Sequence, residues 1–599
     1  MCGICGIVSL GREGPPVDSK ELLRIRDRMA VRGPDEAGLW TSPDRKAALG
    51  HRRLSIIDLS RQASQPMTDD SGRYAIVFNG EIYNYRDLQR QLSGSGHKFR
   101  SNSDTEVLLA LYAQMGAGML DSLRGMFALA IWDDSDKRLF LARDHFGIKP
   151  LYYSRDGRYF RFASQVKALL AGGKISSRAD QAGQAGFLTL GYVPEPHTTF
   201  ESIQALPAGT AKMIGRSGRE RDIKYFELTN ELTGAEVSFK ESFQPALPVE
   251  ELQSAFRDSV NYHLVSDVPV GVFLSSGVDS TTIAALASEH KADIKTVTLG
   301  FAEFKGKEND EVPLAEKTAA LLETDHTSSW ISRSDFTGQL EKLLEAMDQP
   351  SIDGVNTYFV SRAASQIGLK VALSGLGGDE LCGSYSSFRH IPQMTAWFKG
   401  WKDHRKLAGN IRRLASPMLK SFISPKYAGL FEYGGSYGGA YLLRRGLFMP
   451  WELPGLMGKD EAERGWADLN LLNRLENAVE PIKAPRLKVA ALELSWYMKN
   501  QLLKDSDWAG MAHSLEIRAP WVDVKLFRAL LPFMARGKVD KTSLLSSVIN
   551  TLPPEIRSRK RTGFSVPVRN WLMEEIPARR KAWGLRDWAR LLHNKWVNI

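Results

Sequence analysis

Cys2 stands directly after the initiator methionine and is followed by Gly3-Ile4. Removal of Met1 would leave a thiol beside its own α-amine, and an unperturbed amine pKa of about 7.7–8 lets part of that amine act as a base near neutral pH. A thiol is already a strong nucleophile, so one residue would supply nucleophile and base together. A second chemical feature lies far downstream. Ser275-Ser276-Gly277-Val278-Asp279-Ser280 follows the apolar run Val270–Leu274 and precedes a helical pattern. Free backbone N–H groups, hydroxyl donors and the helix dipole would converge there on an anion such as a phosphate. The Gly-Lys-Ser/Thr of a P-loop is absent. A third feature, Ser374-Gly375-Leu376-Gly377-Gly378-Asp379-Glu380, also follows an apolar run. Each has a plainer reading when taken alone: a small residue near a strand start, a polar turn, a glycine-rich helix cap.

The elements that must hold these residues divide the chain by texture. The first 200 or so residues alternate β-rich runs with glycine turns, as in Tyr74–Phe78 before Asn79-Gly80 and Met126–Trp132 before Asp133-Asp134. Helical periods intervene at Ser19–Met29 and Asp104–Tyr112. Stacked, mainly antiparallel sheets with helices are expected, an α+β pattern. From Glu250 the order changes to helix Glu251–Leu264, strand Val270–Leu274, helix Thr281–Glu289, strand Thr296–Phe301, helix Pro313–Leu322, helix Thr357–Gln366 and strand Leu369–Leu373. Alternating strands and helices predict a parallel sheet covered by helices. Residues from about 390 to 535 read as mostly helical, with no clear strand series. The expected division is 2–215, a linker at 216–249, and 250–599.

With 599 residues, more than one core is expected. The net charge of +10 is spread over 79 basic and 69 acidic residues, which favours solubility over nucleic-acid binding. No stretch reaches the roughly 20 apolar residues of a membrane span, so no membrane partner is expected. Val8-Ser9-Leu10 runs into Gly11-Arg12-Glu13, so no secretory segment is expected either. Three cysteines, Cys2, Cys5 and Cys382, fit a reducing cytoplasm better than a disulfide framework. Cys2 and Cys5 have C-x-x-C spacing, but no second Cys/His pair completes a zinc site, and the spacing reads as incidental.

Five N-terminal patches resemble those of the class II glutamine amidotransferases, a branch of the N-terminal-nucleophile hydrolases. They are Met1-Cys2-Gly3-Ile4, Arg32-Gly33-Pro34-Asp35, His51-Arg52-Arg53-Leu54-Ser55, Phe78-Asn79-Gly80-Glu81-Ile82-Tyr83-Asn84 and Ser103-Asp104-Thr105-Glu106. Gln65-Pro66 and Arg143–Gly147 extend the match. The resemblance implies that Arg53 pairs with glutamine's carboxylate, Asp104 with its ammonium, and that Glu81 and Asn79 complete the glutamine pocket. Thiolate attack on the side-chain amide creates an oxyanion, which the Asn79 amide and Gly80 N–H would stabilise, each donor being worth about 2.7–4 kcal/mol. In isolation Asn79-Gly80 would read as a type I′ hairpin turn, and Arg53 with Asp104 as a surface ion pair.

The downstream loops resemble those of glutamine-hydrolysing asparagine synthetases, whose first loop is shared with ATP pyrophosphatases. Asp348-Gln349-Pro350-Ser351, Met511–Pro520 and Arg559–Pro567 belong to the same likeness, which spans nearly the whole chain. It implies ATP cleavage between the α and β phosphates, with ATP held by Leu274, Ser275, Ser276, Gly277, Asp279, Ser280, Leu299, Ser374 and Gly375. Mg²⁺ would be held by Asp279 and Asp379. Glutamine, ATP and a carboxylate acceptor, aspartate first, are the implied ligands; the sequence leaves the oligomeric state open, a homodimer being one option. The chain departs from the family pattern at four places. Ser276 and Ser384 replace glycines, Arg561 replaces a common lysine, and Leu376 replaces an acid thought to accept a proton from attacking ammonia. A leucine cannot be a base. Either Glu380 serves, with Arg561 near the acceptor, or the acceptor is another carboxylate, such as a uronic acid of a surface polysaccharide.

Overall fold

The computed structural model describes residues 2–11, 13–241, 249–291, 293–402, 404–419 and 425–537, with 541, 545, 555–556, 567, 571 and 584–597. The N-terminal region stacks two six-stranded antiparallel sheets. In the first, strands run in the spatial order Gln204–Ala205, Tyr152–Arg155, Tyr159–Ala163, Gly3–Ser9, Ala47–Arg53 and Glu36–Thr41. In the second the order is Glu220–Lys224, Thr210–Gly215, Arg138–Arg143, Gly125–Asp133, Tyr74–Ile82 and Met67–Thr68.

The strand period of two explains both the layering and the cysteine spacing. Ile4 and Val8 point between the sheets, where they join Val77, Ala128 and Phe162. Cys5 and Ile7 point the other way, under helix Ser19–Asp27 with Leu22 and Ile25. Cys5 is therefore committed to the core, and its thiol donates to the Gly50 carbonyl at 3.6 Å. All three cysteines are free and buried. The expected turn at Asn79-Gly80 does not occur. Both residues lie inside strand Tyr74–Ile82, paired with Ala128 and Phe127. A Cβ on Gly80 would sit 2.0 Å from the Met126 carbonyl oxygen, so the strand needs glycine to keep its neighbour close.

The C-terminal region holds a five-stranded parallel sheet in the order Asp325–Ile331, Lys295–Phe301, Val270–Phe273, Val371–Leu373, Glu516–Arg518. Two of these strands escaped the sequence reading. Asp325–Ile331 carries polar residues at an edge, and Glu516–Arg518 is a three-residue strand inside a stretch that reads as helical. Helix Val278–His290 begins three residues earlier than expected, so Asp279 and Ser280 belong to its first turn. The stretch 216–249 holds strand Glu220–Lys224 and helix Leu228–Glu241. The chain leaves strand Val270–Phe273 toward one side of the sheet and later returns to Val371–Leu373 on the other. In open α/β sheets, the crevice beyond such neighbouring strand ends is where ligands bind. Among the described residues, no helix is long and apolar enough to cross a membrane.

Candidate active sites

Cys2 enters its strand at the centre of the first sheet, and its backbone nitrogen donates to Asn79 Oδ1 at 3.0 Å. That nitrogen is the one Met1 removal would turn into the α-amine. The same Asn79 leaves Nδ2 buried without a hydrogen-bond partner. A buried, unsatisfied amide donor beside a nucleophile is the feature an oxyanion hole requires. Burial raises the Cys2 thiol pKa and Glu81 adds to the rise, while the Leu54 backbone and Arg53 pull it down. Arg53 is buried, and its Nη1 donates to Glu36 at 3.2 Å and to the Ser60 carbonyl at 3.1 Å. Asp104 opens helix Asp104–Met115, whose Ser103 cap accepts from Thr105 N at 3.0 Å. Its carboxylate accepts from Ile82 N at 3.0 Å, and burial pushes its pKa up to about 7. Glu81 lies one residue beyond Gly80, and its carboxyl is raised well above the usual range by burial, with Glu516 adding to the effect. Cys2, Arg53, Asn79, Gly80, Glu81 and Asp104 thus gather at one end of the stacked sheets.

The second site forms where the two loops meet beyond the parallel strands. Ser275 Oγ and Ser280 Oγ lie 2.8 Å apart, and Gly277 N donates to Ser275 Oγ at 3.1 Å, closing the first loop on itself. A Cβ on Gly378 would fall 2.6 Å from Asp279 Oδ1, and one on Gly375 3.0 Å from the Asp279 Cβ. The glycines of the second loop therefore let it seat against Asp279. Gly377, at φ +98, makes the turn between them. A cavity of about 330 Å³ opens here, lined by Leu274, Ser275, Ser280, Leu299, Ser374 and Gly375 of the expected ATP set, and by Leu376, Asp379 and Glu380. Ser276, Gly277 and Asp279 are not on its wall. Ser276 turns its hydroxyl inward, buried and without a partner, so the departure from glycine is absorbed by the core side of the loop.

Three features of this site were not read from the sequence. Lys541 Nζ joins the two expected metal ligands, reaching Asp379 Oδ1 at 2.6 Å and also bonding Asp279. Lys541 sits in no recognisable motif. Tyr385 donates to Glu380 Oε1 at 2.6 Å, and burial lifts the Glu380 carboxyl to about 7. Asp353, half-buried, and Asp505, buried, bring further carboxyls to the cavity wall, both with pKa raised by desolvation. The sequence signal was present at Asp505-Ser506-Asp507-Trp508, two acids that the helix Leu503–Met511 buries together with Trp508. Arg561 lies outside the described residues.

Between the sites, Arg32 is the joint. Its Nε donates to the Cys2 carbonyl at 3.2 Å, and its two Nη atoms reach Asp507 at 2.7 and 3.1 Å. A narrow cavity of about 40 Å³ lies beside it, lined by Arg32, Gln165, Asp505 and Trp508 among others. Asp505 also lines the larger cavity, so the two spaces share a wall. A second link runs through Arg518. Its Nη2 lies 3.5 Å from Glu81 Oε2 and its Nε donates to Glu516 at 2.6 Å, while its carbonyl accepts from Ser374 N at 2.8 Å. Asp348 and Gln349 also serve the boundary: Asp348 accepts from Val166 N and Lys167 N at 2.9 and 3.0 Å, and Gln349 from Thr199 N at 3.2 Å.

A family model for the glutamine amidotransferase domain matches residues 1–226, and one for asparagine synthase matches residues 251–593. The chain is 31% identical to asparagine synthetase 1 (glutamine-hydrolysing) of Bacillus subtilis, across 96% of this chain and 88% of that protein. It is also 31% identical to a putative glutamine-hydrolysing asparagine synthetase of Mycobacterium tuberculosis, across 98% of this chain and 90% of that one. The chain therefore belongs to the glutamine-dependent asparagine synthetase family, carbon–nitrogen ligases that form amides with ATP and with glutamine as the nitrogen source.

Proposed function

We propose that this enzyme converts aspartate to asparagine through an acyl-adenylate, releasing AMP and pyrophosphate. The observation that carries the reading is Glu380, a buried carboxyl raised to about 7 on the wall of the nucleotide cavity. A group titrating there is suited to take a proton from attacking ammonia near neutral pH. The names of the relatives support aspartate as the acceptor.

In this account residues 2–215 hydrolyse glutamine. Arg53, Glu81 and Asp104 hold its amino-acid end, Cys2 attacks, and Asn79 Nδ2 with Gly80 N–H receives the oxyanion. Ammonia leaves as the neutral molecule through the narrow space beside Arg32, mostly lined by buried residues, which favours the unprotonated form. Residues 250–599, joined through 216–249, bind ATP along the loops at 274–280 and 374–375. Mg²⁺ fits the donor set, because Asp279 and Asp379 already converge on one ammonium group and the ion commonly takes one or two carboxylates with phosphate oxygens and water. Bound there, it would neutralise the departing pyrophosphate. The work is expected in the cytoplasm.

One observation favours a second acceptor. Leu376 lines the cavity where the family commonly has an acid, which suits a different carboxylate such as a uronic acid of a surface polysaccharide. The deciding experiment incubates the full chain with ATP, Mg²⁺ and glutamine and screens carboxylates for acceptor-dependent pyrophosphate release. Turnover of aspartate alone supports the first reading. Turnover of uronic acids without aspartate replaces it with the second.

A further inference from the structure

A third cavity, of about 420 Å³, opens at the seam between the two halves and shares no wall residue with the cavity beside the serine-glycine loops. The first half lends it Arg28, Arg32 and Lys167, the last from helix Val166–Ala171. The second half lends it Lys342 of helix Arg333–Ala346 and Arg362 of helix Val355–Gln366. Among the described residues its wall holds one acid, Glu345, which pairs with Arg28 at 3.5 Å. Arg32 is matched by Asp507. Lys167, Lys342 and Arg362 have no ion-pair partner among the described residues. The Lys167 Nζ donates to the Glu345 carbonyl at 3.0 Å and lies 5.0 Å from the centre of the Trp596 ring, and burial pulls its pKa down to about 8. His513 is on the wall as well, and its Nε2 is buried without a hydrogen-bond partner.

Three unmatched cations held around one cavity repel one another, and partial burial weakens the screening that water would give. An anion relieves that arrangement, whereas a cation or an apolar group does not. Because the three stand on three separate helices, a ligand with two or more anionic groups can span them where a point charge meets only some. The volume falls within the range of ordinary small-ligand sites. The cavity also touches the supports of both candidate sites. Arg32 and Trp508 line it and the narrow cavity alike. Met29, on its floor, packs behind the residue next to Cys2, since a Cβ on Gly3 would fall 2.9 Å from the Met29 Cβ. Trp508 donates to Asp505 at 2.7 Å, and Asp505 is a wall residue of the cavity beside the serine-glycine loops.

We propose that this cleft is a regulatory site for a small organic anion bearing two or more negative charges, whose binding fastens the two halves together and raises glutamine turnover. Its anionic groups would lie between Lys167 of the first half and Lys342 with Arg362 of the second. Arg32 and Met29 then carry the effect to Cys2, one through the Cys2 carbonyl and the other through the packing behind Gly3. The inference goes beyond amide formation and is independent of which carboxylate accepts the nitrogen.

The test uses the full chain without ATP or Mg²⁺, so that amide formation plays no part. Citrate, fructose 1,6-bisphosphate and inorganic phosphate are titrated by calorimetry, and glutaminase is assayed with each at saturation. Citrate or the bisphosphate is expected to bind once per chain, more weakly at high salt, and to raise kcat/KM for glutamine by about fivefold or more. Binding of the bisphosphate alone supports the site with phosphate groups as the ligand's anions, and binding of citrate alone supports it with carboxylates. Lys342→Gln with Arg362→Gln should weaken binding by about tenfold or more and abolish the stimulation. Glutaminase without added anion should stay at the wild-type level in that variant, reporting intact folding. If the pair disturbs folding, Lys342→Gln alone, at an exposed side chain, should still weaken binding. Absence of binding by all three probes at millimolar concentration would overturn the proposal. So would equal binding by wild type and variant, which would put the anion elsewhere. Binding that the variant loses, with no effect on wild-type glutaminase, would overturn the regulatory role.

Discussion

Arg32 and Asp507 form a two-point ion pair, with both side chains buried and one from each half of the enzyme. The same guanidinium holds the Cys2 carbonyl, so the position of Cys2 is tied to a helix that also lines the larger cavity beside the serine-glycine loops. Planar donors suit this double duty, because a guanidinium can fork to a carboxylate and still spend Nε elsewhere. Removing one partner strands the other charge in a dry interface. Asp507→Ala should cost about 3–5 kcal/mol of stability, and the double variant with Arg32→Ala less than the sum of the two. Thermal unfolding of the three variants measures this, and additive losses would show that the two residues do not act as a pair.

Cys2→Ala should abolish glutamine-dependent synthesis and leave ammonia-dependent synthesis intact, because the nucleophile lies apart from the nucleotide loops. Assaying both nitrogen sources at saturation decides it. Failure of ammonia to rescue the variant would contradict the two-site account.

The pH dependence of glutamine use follows from Asp104. Burial raises its pKa to about 7, so below that value the carboxyl is neutral and cannot pair with glutamine's ammonium. The glutamine KM should therefore rise as pH falls through about 7, approaching about tenfold per unit. Asp104→Asn should show a high KM with no inflection there. A KM independent of pH in the wild type would remove Asp104 from the ammonium site.

A different readout isolates Glu380. With free ammonia held constant, ammonia-dependent synthesis should rise with pH through an inflection near 7, as the carboxyl ionises and becomes a base. Glu380→Gln should lower that rate by about 100-fold or more. Tyr385→Phe should move the inflection upward, since the tyrosine hydrogen bond favours the carboxylate. An unmoved inflection in Tyr385→Phe would assign the titration to another group.

Leu376→Glu separates the acceptors. For aspartate, an added acid at this position should keep or increase asparagine formation. For a sugar acid, the new carboxyl would be desolvated in a pocket shaped for leucine, and turnover of the true acceptor should fall with no gain on aspartate. Acceptor-dependent pyrophosphate release with each substrate distinguishes the cases.

The sequence was most legible where chemistry and local structure coincide. Cys2, Asn79-Gly80 and the two serine-glycine loops depend on adjacent residues, so their spacing survives in the linear chain. The outer strands were harder to read. Asp325–Ile331 buries little of its surface, and Glu516–Arg518 is too short for a period of two to register. The Asn79-Gly80 turn misled because the same two residues satisfy a hairpin's preferences, and only the approach of Met126 reveals why glycine is needed in mid-strand. Lys541 was invisible because it acts on residues more than 150 positions away.

The short strand Glu516–Arg518 has a further consequence. Its arginine points toward Glu81 in the N-terminal half while its backbone steadies Ser374 in the C-terminal half, so one three-residue segment is structural property of both candidate sites. The two halves are consequently poor candidates for grafting. A chimera carrying a foreign amidotransferase half would have to supply a carboxylate for Arg518 at position 81 and arginines for Asp507 and Asp523 at positions 32 and 124. Any mismatch would bury a bare charge at the seam.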